Sequence, residues 1–236
     1  MVRRAVLLLA LGLTLPLSAA DWPQFRGPAR DGHSADTGLL KTWPKGGPKL
    51  LWTFTDGGVG YAGPAVVGDR LYTCGAKGAD EFVYALDLKA TPPTVVWSAK
   101  IGPLFTWQGN SWNAGPSVTP TVDGDRVYAL GGFGDLVCVE AKTGKELWRV
   151  NYAKDLGGEV NPIGGGLTDP SPLGWGNAAA PLVDEGTLVC VVGGKRGLFA
   201  GLDKTTGKLL WRSGEVPEQA PYSSPVAAKI GGVPQY

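Results

Sequence analysis

Three carboxylates recur at one place along this chain, each just before a turn: Asp87, Glu140 and Asp203. Lysines flank the last two turns, at Lys142 and Lys145 and at Lys204 and Lys208. Acids repeated beside lysines could hold a metal ion or move protons. The repetition argues against both, because one active site has no use for the same acid at every repeat. The carboxylates are therefore read as acceptors for the amides of their own turns. His33 is the sole histidine and lies near the N-terminus, so no histidine-based triad forms on the repeats. Gly193-Gly194-Lys195-Arg196-Gly197 lacks the spacing of a phosphate loop and reads as a hairpin turn. Cys74, Cys138 and Cys190 each sit inside an apolar run, so they read as small buried hydrophobes rather than disulfide partners or haem attachments.

The elements that must position these residues are short strands. The 236 residues include 37 glycines and 19 prolines, dispersed between apolar runs, which implies many tight turns. Net charge is +1 with no basic stripe, which argues against a nucleic-acid partner. Residues 1–20 read as a signal peptide: Arg3-Arg4, an apolar stretch to Leu17, then Ser18-Ala19-Ala20 as the cleavage site. No cysteine lies there to carry a lipid, so no stable membrane anchor is expected after cleavage, and the location is periplasmic or secreted. Residues 21–46 form an irregular arm, with Trp22 and Phe25 expected to pin it to the body.

Residues 47–236 divide into units of four strands. Each unit enters on a proline (Pro64, Pro120, Pro181) and ends near a tryptophan (Trp97, Trp148, Trp211). Four short strands per unit of this size mark a β-propeller. Residues 49–54 look like an outer strand with no first three before it, and residues 221–228 like a new first strand. The expectation is an all-β, incomplete propeller of four-stranded antiparallel blades: about three full blades with partial strands at both ends, the N-terminal portion of a longer protein. The tryptophans are expected to pack between adjacent blades.

The stretches Val139–Trp148 and Leu202–Trp211 resemble the tryptophan-docking repeat of pyrroloquinoline-quinone-like (PQQ-like) propellers, Ala-x-Asp-x-x-Thr-Gly-x-x-x-Trp. The copy ending at Trp97 lacks the glycine. Asp21-Trp22-Pro23-Gln24-Phe25-Arg26-Gly27-Pro28 followed by such repeats is similar to an exported bacterial group named only for this propeller. The resemblance implies a non-catalytic binding or scaffold module. Its alternative implication is the N-terminal part of a quinoprotein alcohol dehydrogenase, with PQQ and calcium as cofactors. Such enzymes carry adjacent cysteines and hold calcium with Glu, Asn and Asp. No adjacent cysteine pair occurs here, although Asn110, Asn113, Glu159, Asp169 and Asn177 stand in loops.

No catalytic or metal residue is assigned from sequence. The candidate binding surface is the channel mouth, where loops between blades carry Tyr61, Trp107, Trp112, Trp175 and Tyr222. Aromatics on long loops suit a protein or glycan partner, or a flat cofactor.

Overall fold

The computed structural model describes residues 19–107, 110–161 and 174–236. The stretch up to Ser18 read as a signal peptide, the Gly164–Gly166 stretch and Asp169 lie outside them. Three four-stranded antiparallel sheets repeat. The first runs β1 (Ala65–Val67), β2 (Arg70–Lys77), β3 (Asp80–Asp87) and β4 (Thr94–Pro103). A two-stranded hairpin follows, β5 (Thr106–Trp107) with β6 (Asn110–Ala114). The second sheet is β7 (Thr121–Asp123), β8 (Arg126–Leu130), β9 (Asp135–Glu140) and β10 (Glu146–Asn151), followed by the single turn of α1 (Tyr152–Leu156). The third is β11 (Leu182–Asp184), β12 (Thr187–Val191), β13 (Phe199–Asp203) and β14 (Leu209–Arg212). The first strands β1, β7 and β11 adjoin one another, as the inner strands of propeller blades do.

Each blade carries the same irregularity. Between its third and fourth strands the register slips by one residue immediately before the tryptophan, leaving Val96, Leu147 and Leu210 unpaired. Such a bulge increases local twist and re-aims the next side chain. Opposite each tryptophan stands a small residue: Ala85, Cys138 or Gly201. The ring is thereby turned toward the neighbouring blade. Trp97 Nε1 donates to the Ala141 carbonyl at 3.0 Å, and Trp148 Nε1 to the Lys204 carbonyl at 3.2 Å. Both acceptors lie in the next blade's turn between its third and fourth strands. Burial of each ring contributes on the order of 2–3 kcal/mol. The expected packing of tryptophans between blades is what the structure shows for Trp97 and Trp148, while Trp211 stacks on Tyr236.

The turn acids behave as acceptors. Asp203 Oδ1 accepts from the amides and hydroxyls of both Thr205 and Thr206, and these bonds hold its carboxyl down at about 2. Asp87 accepts from the Lys89 amide and pairs with Arg70 at 3.0 Å. Glu140 departs slightly, taking the Thr143 hydroxyl instead of an amide. The three cysteines are free and buried. Desolvation pushes the Cys138 and Cys190 thiols up to about 12, which makes them inert hydrophobes.

Two strand expectations need correction. Residues 49–54 form no strand, and Leu50 and Leu51 are 76% and 72% exposed. An extended segment becomes a strand only by pairing, and residues 49–54 pair with none of the described strands. The expected strand at 221–228 forms instead as β15 (Ala228–Ile230), and a partner does follow it, β16 (Val233–Gln235). The two-residue turn sets this register rather than the entry proline: Ile230 pairs with Val233 across Gly231-Gly232, as Val67 pairs with Arg70 across Gly68-Asp69.

The inter-blade clasp is testable at its glycines. A Cβ on Gly144 would lie 2.6 Å from the Trp97 ring, and one on Gly207 2.7 Å from the Trp148 ring, both at positive φ. Gly144→Ala and Gly207→Ala should each cost about 2–4 kcal/mol, combining overpacking with left-handed strain. Gly124→Ala also has positive φ but open space around it, and should cost only about 1–2 kcal/mol. Thermal melts of the three variants check the ranking.

Candidate functional site

Strand direction sorts the connections onto two faces. The turns joining first to second and third to fourth strands, including the clasps, lie on one. The turns joining second to third strands, and the long loops between blades, lie on the other. A third region is the axis.

The N-terminal arm occupies the axis and touches the inner-strand side of every blade. Asp21 Oδ1 accepts from the Gly68 amide at 2.7 Å, and Trp22 forms an antiparallel bridge with Val66. The Pro23 carbonyl accepts from the Val122 amide at 2.8 Å. Arg30 then reaches the third blade, donating to the Ala180 and Pro181 carbonyls at 2.8 and 2.9 Å. Its residue exposure is 3%. No described carboxylate pairs with Arg30; Gln24 Oε1 and two carbonyls take its protons, and burial lowers its pKa to about 10. Above the arm, a cavity of about 320 Å³ opens between Trp22, Phe25, Arg26, Tyr61, Ser117 and Thr119.

On the loop face, a cleft of about 280 Å³ lies between the second and third blades. The β8–β9 turn supplies Phe133, the segment after α1 supplies Glu159, and Asn177 and Gln219 come from the loops before and after the third blade. Helix α1 begins at an Asn151 cap, whose side chain accepts from the Lys154 amide, and ends on Gly157 at φ +64. Asn177 is buried, its Nδ2 donates to the Gly132 carbonyl at 3.1 Å, and its Oδ1 has no hydrogen-bond partner. Phe133 packs edge-on against Phe105, with ring centres 5.2 Å apart.

Three of the five aromatic candidates have described side chains. Tyr61 lines the axial cavity, and its amide donates to the Pro116 carbonyl at 2.9 Å. Trp175 and Tyr222 do meet: the Tyr222 hydroxyl accepts from the Trp175 amide at 3.1 Å and donates to the Asn161 carbonyl at 3.2 Å. Trp107 and Trp112 lie on β5 and β6, and their side chains fall outside the described set. Of the loop residues that could hold calcium, Glu159 and Asn177 share the cleft. The side chains of Asn110 and Asn113 and all of Asp169 lie outside the described set. No group of three His, Cys, Asp or Glu that could hold a metal occurs among the described residues. Two oxygen donors do not make a calcium site, so the described residues do not fit that ion.

Sequence reasoning missed three residues. Arg30 carried no signal, because its partners are 150 and 151 residues away. Phe133, alone among the glycines of Gly131-Gly132-Phe133-Gly134, could have been found as an aromatic on a tight turn. Glu81 is fully buried in β3, where it accepts from the Phe105 and Gly132 amides at 3.1 and 3.0 Å, tying the first blade to the second. Burial raises its pKa and outweighs those two bonds, which lower it.

A family model described as outer membrane protein assembly factor BamB matches residues 79–235. The curated lanthanide-dependent methanol dehydrogenase of Methylacidiphilum fumariolicum is 31% identical over 175 residues, covering 69% of this chain and 25% of that protein. The quinohemoprotein alcohol dehydrogenase structure from Comamonas testosteroni aligns at a TM-score of 0.53 and 20% identity, over 81% of this chain and 26% of that one. It shows the shared fold. This chain spans about a quarter of the length of both. The chain belongs to the BamB-described family of PQQ-like repeat proteins.

Two variants probe the arm and the buried acid. Arg30→Ala strands the Ala180 carbonyl, so it should cost about 1–3 kcal/mol and speed proteolytic nicking within residues 21–46. Glu81 binds its proton more tightly folded than unfolded. Its contribution is therefore fully present below the ordinary carboxylate range and is lost as pH rises through the raised folded value. Glu81→Gln should flatten the fall in melting temperature on that rise. It should also lower stability by about 1–3 kcal/mol, since its amide nitrogen faces one of two buried N–H donors.

Proposed function

We propose that this PQQ-like propeller chain is an exported, non-catalytic binding or scaffold module that takes its ligand on the loop face. One observation carries the reading: the acid and thiol groups whose ionisation is most perturbed are committed to structure, while the loop-face cleft is lined by Phe133, Tyr152, Asn177 and Gln219 with a single carboxylate, Glu159. The three thiols are buried in the sheets, Glu81 binds two amides, and Asp203 is held by its own turn. A catalytic centre concentrates such groups in a cleft instead. The partner class is a protein or a glycan held by the loops, in keeping with loops as the variable part of a rigid scaffold. Among the described residues no helix is long and apolar enough to cross a membrane.

The named methanol dehydrogenase relative favours a second reading, part of a quinone- and calcium-dependent dehydrogenase. The two differ in a direct assay. The natural polypeptide carrying this chain is incubated with PQQ and calcium, then with lanthanide in place of calcium, and assayed for alcohol-dependent dye reduction. The binding reading expects no turnover above a protein-free control. Turnover that requires both quinone and metal establishes the dehydrogenase and ends the binding reading.

A further inference from the structure

Residues 49–54 form no strand, yet they copy one. Lys49-Leu50-Leu51-Trp52 repeats Lys208-Leu209-Leu210-Trp211 residue for residue, and Lys145-Glu146-Leu147-Trp148 differs from both at one position. In those two copies the run leads from the clasp turn into the outer strand of a blade. The residue before the tryptophan, Leu147 or Leu210, is the unpaired bulge. Leu51 holds that position here, and Trp52 the position of the clasp tryptophan. Exposure marks the difference: Leu50 and Leu51 are 76% and 72% exposed, against 36% and 54% for Leu209 and Leu210. Trp52 is half-buried, whereas Trp97 and Trp148 are buried.

The segment also lies where an outer strand would run. Side chains of β3 alternate between two faces. Val83 and Ala85 share a core cluster with Val122, Val127 and Val137 of the second blade. Tyr84 therefore faces the other way, toward the side of the first blade that no described blade covers. Phe54 packs edge-on against Tyr84 there, with ring centres 6.3 Å apart. Val59 then bridges Ala76 beside the β2–β3 turn, so the segment ends on the loop face, where fourth strands end. From that face the chain enters the first blade at Pro64, just as it enters the later blades after β4 and β10. Sequence, position and direction together make residues 49–54 the fourth strand of a blade preceding the first. What the segment lacks is a third strand to pair with. In every described blade that third strand sets a small residue opposite the tryptophan: Ala85, Cys138 or Gly201.

We propose that residues 49–54 are the closing strand of the propeller: they pair with the third strand of its last blade, which sets a small residue opposite Trp52. The occupant is a later part of the same polypeptide. Blades follow one another round the axis in chain order, and β15–β16 stand beyond the third blade in the register of a blade's first two strands. Blades continued round the arm in this way arrive at the uncovered side of the first. Pairing within one polypeptide also avoids the loss of translational freedom that a second molecule would incur. The closing strand is independent of which ligand the loop face takes.

Hydrogen exchange tests this on the unaltered protein. Amides of residues 50–54 should exchange at least about tenfold slower in the natural polypeptide carrying this chain than in the 236-residue chain. That protection should not change with protein concentration. Thr53→Pro, at an exposed side chain, removes one amide and breaks the ladder. It should abolish the protection and lower the melting temperature of the natural polypeptide, while leaving the melt of the 236-residue chain unchanged. Where that variant fails to fold, the exchange comparison decides alone. The proposal is overturned if these amides exchange equally fast in both proteins, or if Thr53→Pro leaves them protected. It is also overturned if protection appears only as a dimer forms, which assigns the pairing to a second copy.

Discussion

The hydrogen bond from a tryptophan indole to the turn carbonyl of the next blade governs this structure. It is a shared acceptor. The Ala141 carbonyl takes Trp97 Nε1 at 3.0 Å and the Tyr72 hydroxyl at 3.5 Å; the Lys204 carbonyl takes Trp148 Nε1 at 3.2 Å and the Tyr128 hydroxyl at 3.0 Å. Several local features are needed to present that geometry. The bulge aims the ring, a small residue opposite makes room, and a glycine in the receiving turn lets the ring lie on bare backbone. Blade follows blade because each of these recurs in register. Trp211 is the exception that shows the rule: with no such turn beside it, its ring stacks on Tyr236 at 5.8 Å and 16°.

The arm solves a different problem, at the axis. Three inner strands of three residues each leave backbone groups that neighbouring strands do not use. Trp22 and Pro23 pair with groups of the first two, and Arg30 meets the carbonyls leading into the third. A guanidinium suits this role because it offers several donors in a fixed plane. Two carbonyl oxygens and one amide oxygen take its protons, and burial lowers its pKa to about 10. The arm is irregular in sequence because its hydrogen bonds are made to three different sheets.

What could be read from sequence divides along this line. The blades were legible because their determinants are local and repeated: the entry proline, the two-residue turn, the Thr-Gly turn and the tryptophan each recur at matching offsets. The burial of Cys74, Cys138 and Cys190 followed from their apolar neighbours. The axis and the cleft were not legible. Arg30 meets Ala180, Glu81 meets Gly132, and Asn177 shares a cleft with Phe133, each pair joined only by the closing of blades around the axis. The two strand errors have one origin. Apolar residues at 49–54 supply a strand's composition but pair with no described strand, whereas Gly231-Gly232 supplied the hairpin that composition alone understated.

The two faces of the propeller therefore differ in what they leave free. On the turn face, Asp203 carries four hydrogen bonds and a carboxyl near 2, so at neutral pH it cannot serve as a proton acceptor, and Lys204 pairs with Asp123 at 2.8 Å across blades. The acids that look most like chemistry in the sequence are consumed in holding their own turns and strands, and Lys204 in joining one blade to the next. The loop face holds the opposite case. There the Asn177 side chain makes one hydrogen bond and buries its oxygen without a partner, and Phe133 is held edge-on by Phe105. Repetition demands that the clasp face stay the same from blade to blade. The loops have no such duty, and the spacing between successive tryptophans grows from 51 to 63 residues with the added length in them. A surface that can change without unfastening the blades is where recognition can evolve.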